Sequence, residues 1–147
     1  QGRAMRTLAY TGGKTRRLFE SDDGGLWIGA QDGVYRLAPA ATRIERQTDA
    51  QSGPMGEVHA FAQAPDGRVW FTESQGNRIG RMNPDGNGLV EFPLPHPDSA
   101  PRIIALGADG NMWFSEHTGN RISRITPAGV TRRVASTKSS MCVCSVA

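Results

Sequence analysis

The sequence predicts an all-β fold: a β-propeller fragment of about three four-stranded blades. Three observations predict it. First, a segment recurs at an offset of 43 residues. From Asp66–Pro84 to Asp109–Pro127, 11 of 19 positions are identical, where chance gives about one. Second, Val69-Trp70-Phe71 and Met112-Trp113-Phe114 are apolar at consecutive positions. A strand without alternation has both faces covered, as in a blade held between two neighbours. Third, Gly and Pro are frequent and evenly spaced, with 18 Gly and 9 Pro among 147 residues. That pattern suits many tight turns.

The middle copy is the clearest. It starts with a strand at His59–Ala64, followed by the Pro65-Asp66-Gly67 turn. Asp-Gly tolerates the positive φ that a hairpin needs. The second strand is Val69–Glu73, the Gly76-Asn77 pair turns the chain, and the third strand is Arg78–Met82. Pro84-Asp85-Gly86 makes the next turn. The fourth strand, Leu89–Pro93, contains a proline, which an outermost edge strand tolerates. A linker with Pro95, Pro97 and Pro101 leads onward. An earlier copy at Asp23-Gly24-Gly25-Leu26-Trp27-Ile28-Gly29 is two residues shorter after Gly33. The blades are thus placed at 15–47, 57–94 and 100–134. Residues before Thr15 read as the last strand of a preceding blade. Residues 135–147 form a non-propeller, disordered tail. Its Cys142 and Cys144 are an incidental pair, and no disulfide supports the blades. Three blades leave two apolar faces open, so remaining blades or self-association are needed to close the ring.

Composition narrows the function. The chain is 37% hydrophobic and 21% charged with a net charge of +3, which suits a folded domain. Its basic residues are scattered without interleaved aromatics, which argues against nucleic-acid binding. No apolar run approaches the ~18–20 residues of a membrane helix, so no membrane partner is expected. The chain does not begin with Met. A bacterial cytoplasm is favoured, although the start reads as internal to a longer chain.

Ionisable residues concentrate at one end of each hairpin. The turn at Pro65–Arg68 places His59 opposite Glu73, and the next copy pairs Arg102 with Glu116, followed by His117. All five are expected at one mouth of the channel, where they would bind a cation or an anionic group, or move protons. A Glu ending a strand also has a structural use, accepting turn amides or pairing with Arg78 or Arg121. His59 and His117 are not repeated, since their equivalents are Arg16 and Arg102, and Ser74. Trp27, Trp70 and Trp113 read as blade core. Arg36, Arg81 and Arg124 read as structural partners. His96 reads as a surface residue of the linker. No Gly-x-Ser-x-Gly, phosphate loop or His-Glu-x-x-His motif is present.

The segments VWFTESQGNRIGRMNPDG, EFPLPHPDSAP and MWFSEHTGNRISRITPAG resemble the blade signature of streptogramin B lyases (virginiamycin B lyases). The resemblance is close over Glu57–Thr131, about half of the chain. DGGLWIGAQDGVYRL is similar instead to the blades of bacterial two-component sensor propellers. The lyase resemblance implies a seven-bladed, magnesium-dependent enzyme that opens a cyclic depsipeptide antibiotic at its ester by elimination. Such chemistry needs a base for a proton next to a carbonyl and a cation for the leaving carboxylate. The Val58-His59-Ala60-Phe61 setting makes His59 the implied base, and Glu73, with Glu116, the implied magnesium ligands. Arg102 stands at the His position in the third copy, and with His117 it is assigned to substrate, a small molecule or cyclic peptide. The other readings are a sensory or ligand-binding module without catalysis and an inactive truncated chain.

Overall fold

The computed structural model describes residues 7–47 and 55–136. The described residues form twelve strands in three antiparallel sheets. The first blade holds β1 (Thr15–Glu20), β2 (Leu26–Ala30), β3 (Gly33–Leu37) and β4 (Glu45–Gln47). The second holds β5 (Val58–Gln63), β6 (Val69–Glu73), β7 (Arg78–Met82) and β8 (Val90–Pro93). The third holds β9 (Pro101–Leu106), β10 (Met112–Glu116), β11 (Arg121–Ile125) and β12 (Thr131–Ser136). Each sheet follows chain order, so every connection within a blade is a hairpin. β12 runs to Ser136, two residues past the expected edge of the third blade. Cys142, Cys144 and the rest of the tail lie outside the described residues.

The turns follow from residue type. Gly24, Gly67 and Gly110 occupy one repeat position with φ of 81°, 85° and 79°, a conformation that a Cβ disfavours. In the second turn the left-handed residue is the asparagine, Asn77 (φ 55°) and Asn120 (φ 50°). Asn tolerates that region better than other side chains. Asn77 also anchors the linker. Its Nδ2 donates to the His96 carbonyl (2.7 Å), and its Oδ1 accepts from the Ser99 amide (2.8 Å).

The pleat sends alternate side chains into two different seams. Val58, Val69, Phe71 and Met82 pack against Trp27 and Val34 of the first blade. Trp70 and Ile79 pack against the third with Ile104, Met112, Phe114 and Ile125. This explains the unbroken apolar run at 69–71. Arg36, Arg81 and Arg124 stack over Trp27, Trp70 and Trp113 at 5.5, 5.3 and 5.8 Å. Arg36 pairs with Asp23 and Arg124 with Asp109, while Arg81 donates to the Pro127 carbonyl of the next blade.

Two expectations change at the ends. Residues 7–14 are not a strand. They lie over the outer face of the first blade, where Tyr10 packs edge-on against Tyr35. Ile28, Ala30 and Tyr35 are therefore buried, and among the described residues one blade face is open instead of two. That face belongs to the third blade and exposes Ile103 (67%), Ile122 and Val134. Trp113, expected in the core, is half-buried because no sheet covers it.

The seams set the stability contrast. Trp70→Ala, at 2% exposure, is expected to cost about 3–5 kcal/mol in urea unfolding, and Trp113→Ala clearly less. Equal losses would show that the open face is covered in solution.

Candidate functional site

The site begins with an irregularity repeated in all three blades. β5 pairs with β6 at Val58↔Glu73 and resumes at Phe61↔Phe71. β9 pairs with β10 at Pro101↔Glu116 and resumes at Ile104↔Phe114. β1 shifts register between Thr15 and Arg17. Each shift is a β-bulge, with one extra residue on the inner strand. The extra amide needs an acceptor, and a hydroxyl supplies it. Thr72 Oγ1 accepts from the Ala60 amide (3.2 Å), and Ser115 Oγ accepts from the Ile103 amide (3.1 Å). Arg16, His59 and Arg102 all sit in these bulges.

The bulge corrects the expected pairing. Val58 lies opposite Glu73, not His59, and Pro101 lies opposite Glu116, not Arg102. Glu73 and Glu116 then follow the pleat with Phe71 and Phe114 into the seams. They are 0% and 1% exposed. His59 turns instead to Glu57, with Nε2 3.3 Å from Oε2. The other Glu57 oxygen accepts from Arg16 Nε of the first blade at 2.5 Å. Burial pushes the Glu57 carboxyl up, but Arg16 and His59 outweigh it and hold it below the usual range. His59 itself is 23% exposed. Glu57 escaped sequence reasoning because its equivalents, Lys14 and Ala100, are unlike it. The available signal was its spacing of two from His59 along an extended strand.

The two repeated carboxylates have opposite environments. Glu116 accepts from Ser99 Oγ (2.7 Å), Arg121 Nε (2.8 Å) and Ser123 Oγ. Burial alone would raise its carboxyl, yet these three donors bring it below the ordinary value. In the second blade the equivalents of both serines are glycines, Gly56 and Gly80. A Cβ at Gly80 would lie 2.2 Å from the Phe71 ring. Arg78, the equivalent of Arg121, goes to Glu91 at 3.0 Å. Neither Glu73 oxygen accepts a hydrogen bond of standard geometry. Burial first, and then the neighbouring Glu91, push the Glu73 carboxyl up to about 8. The pairing of Glu116 with Arg121 is as the sequence suggested, whereas that of Glu73 with Arg78 is not.

Arg102 is exposed, and its backbone carbonyl accepts from Thr72 Oγ1 (3.2 Å). His117 is exposed beside Ile103, Ser115, Glu116 and Ile122 in an open-face cleft of about 240 Å³. The structure therefore joins His59 to Glu57 rather than setting it opposite Glu73, and it brings Glu116 and His117 together at one cleft. Magnesium takes an octahedral set of oxygens, with room for several waters. Glu116 has its oxygens engaged by three donors, and Glu73 is closed off beside Phe71. Among the described residues no three His, Cys, Asp or Glu side chains converge. Glu73 and Glu116 do not fit magnesium.

Comparison with known proteins supplies the remaining context. The sequence pattern of the Virginiamycin B lyase family matches residues 5–145. The virginiamycin B lyase of Bordetella parapertussis is 46% identical over 54 residues, covering 37% of this chain and 18% of its own. That of Nocardia farcinica is 35% identical over 71 residues, covering 47% and 23%. A catalytically inactive virginiamycin B lyase from Staphylococcus aureus, solved with quinupristin, superposes with a TM-score of 0.74. It is 32% identical and is matched over 90% of this chain and 44% of its own. The chain spans less than half the length of these relatives. The extracellular domain of a two-component system from B. thetaiotaomicron, at 16% identity and a TM-score of 0.66, shares the fold.

The carboxylates give two expectations. A buried acid with a raised pKa favours folding below its unfolded value, and that contribution fades as pH rises through the folded value. The Glu73 contribution should therefore decline between about pH 4.5 and about pH 8. Glu73→Gln should raise the urea midpoint at pH 8 and leave it little changed at pH 4.5. A variant midpoint tracking wild type at both pH values would show Glu73 to be already compensated. Glu116→Gln should instead lower stability at pH 7 by about 3 kcal/mol, because Arg121 loses its buried partner.

Proposed function

The chain belongs to the Virginiamycin B lyase family, and we propose on that premise that the whole protein opens the ester of a cyclic depsipeptide by elimination, with His59 as the base. The observation that carries this reading is the Glu57–His59 contact at a bulge on an inner strand. A carboxylate on Nε2 places the imidazole proton there and leaves the Nδ1 lone pair free. The same contact holds the ring in one orientation, and Arg16 fixes the carboxylate in turn. His59 takes the proton from the carbon next to a carbonyl. The C–H electron pair becomes the C=C bond, and the C–O bond breaks with its pair leaving on the carboxylate oxygen. Water is not consumed, which distinguishes the reaction from hydrolysis.

Quinupristin is the proposed substrate class, taken from the structural relative solved with it. A magnesium requirement is proposed for the whole protein, with ligands other than Glu73 and Glu116. His117 is proposed to face substrate or a covering blade from the cleft it lines.

His59→Ala in the longest natural form of the protein should lower kcat for quinupristin opening by about 10²–10⁴-fold. Followed by mass spectrometry, elimination leaves the product mass equal to that of the substrate, whereas hydrolysis adds a water. Unchanged turnover in the variant would remove His59 from the reaction.

A further inference from the structure

Comparing equivalent positions in the three blades isolates one side chain. Positions 16, 59 and 102 carry Arg, His and Arg, each in its bulge. Positions 14, 57 and 100 carry Lys, Glu and Ala. Their backbones are equivalent in the last two blades, since the Ser74 amide donates to the Glu57 carbonyl and the His117 amide to the Ala100 carbonyl. At the first seam Glu57 neutralises Arg16 and touches His59. At the second seam Ala100 offers no carboxylate. The exposed Arg102 guanidinium then has no acid partner among the described residues.

The Arg102 backbone is also tied to Ala60, the residue after His59. Thr72 Oγ1 accepts from the Ala60 amide and donates to the Arg102 carbonyl. One hydroxyl thus ties the two bulges together across the seam and sets β5 and β9 level at this point. A guanidinium carries paired donors matched to a carboxylate. Exposure screens the pair but does not remove its preference for anions.

We propose that Arg102 is a carboxylate-binding residue, freed for that role by Ala100, and that it receives the carboxylate released beside His59. The second clause rests on the elimination reading, whereas carboxylate recognition stands without it. The electron pair leaving with the C–O bond would end on an oxygen facing Arg102, while the proton stays on His59. Arg102 would supply fixed positive charge where negative charge develops.

The test is an NMR titration of the 147-residue chain at low ionic strength with N-acetylphenylalanine and its amide. Wild type should bind the carboxylate about tenfold more tightly than the amide, in line with one charge-assisted contact. Arg102→Ala should abolish that preference. Ala100→Glu should abolish it too, by giving Arg102 the same-strand carboxylate that His59 has in Glu57. Arg17→Ala, which removes another exposed inner-strand arginine, should leave it intact. Absence of the preference in wild type, or its survival in Arg102→Ala, would overturn the proposal. A preference that depends on Arg102 in a protein that leaves quinupristin closed would retain this site and discard the elimination reading.

Discussion

Apolar side chains on both faces of a four-stranded sheet impose the main constraint on this molecule. Such a sheet cannot bury itself, and it becomes stable only when another covers each face. The second blade shows the satisfied case, with Phe71 in one seam and Trp70 in the other. The first blade closes its outer face with its own residues 7–14 and the Tyr10–Tyr35 contact. The third blade has no such cover among the described residues, and it is there that Ile103 and Ile122 are exposed.

Seam packing also explains the electrostatics. The carboxylates that end β6 and β10 must follow the pleat into the seams, away from water. Burial of a charge is costly unless donors compensate it. Glu116 has two serines and an arginine, and stays ionised. Glu73 meets glycines in place of the serines, and its arginine is drawn to Glu91. The repeat thus preserves the position of the acid while reversing its protonation. At position 80 the Phe71 ring occupies the space of a serine side chain, so no hydroxyl is offered to Glu73 there.

The same sheet geometry decides which ionisable residues face outward. A bulge inserts one residue and re-aims it. It turns position 59 away from the buried acid and toward Glu57. The hydroxyl of Thr72 satisfies the amide that the bulge leaves over, and its proton reaches the next blade. A local defect in one ladder therefore sets the placement of side chains on two inner strands.

The sequence alone determined the blades, most strand limits and the left-handed turn residues. All of these are local or periodic, carried by residue types that recur every 43 positions. It also singled out His59, because a histidine interrupted a row of arginines. Tertiary structure decided the partners. Whether Glu73 or Glu57 meets His59 depends on one residue of register, and a bulge leaves little trace in composition. Whether a buried acid is paired depends on side chains that approach from other strands and from the linker, as Ser99 does for Glu116. Periodicity records which positions repeat, but charge compensation depends on the few neighbours that do not.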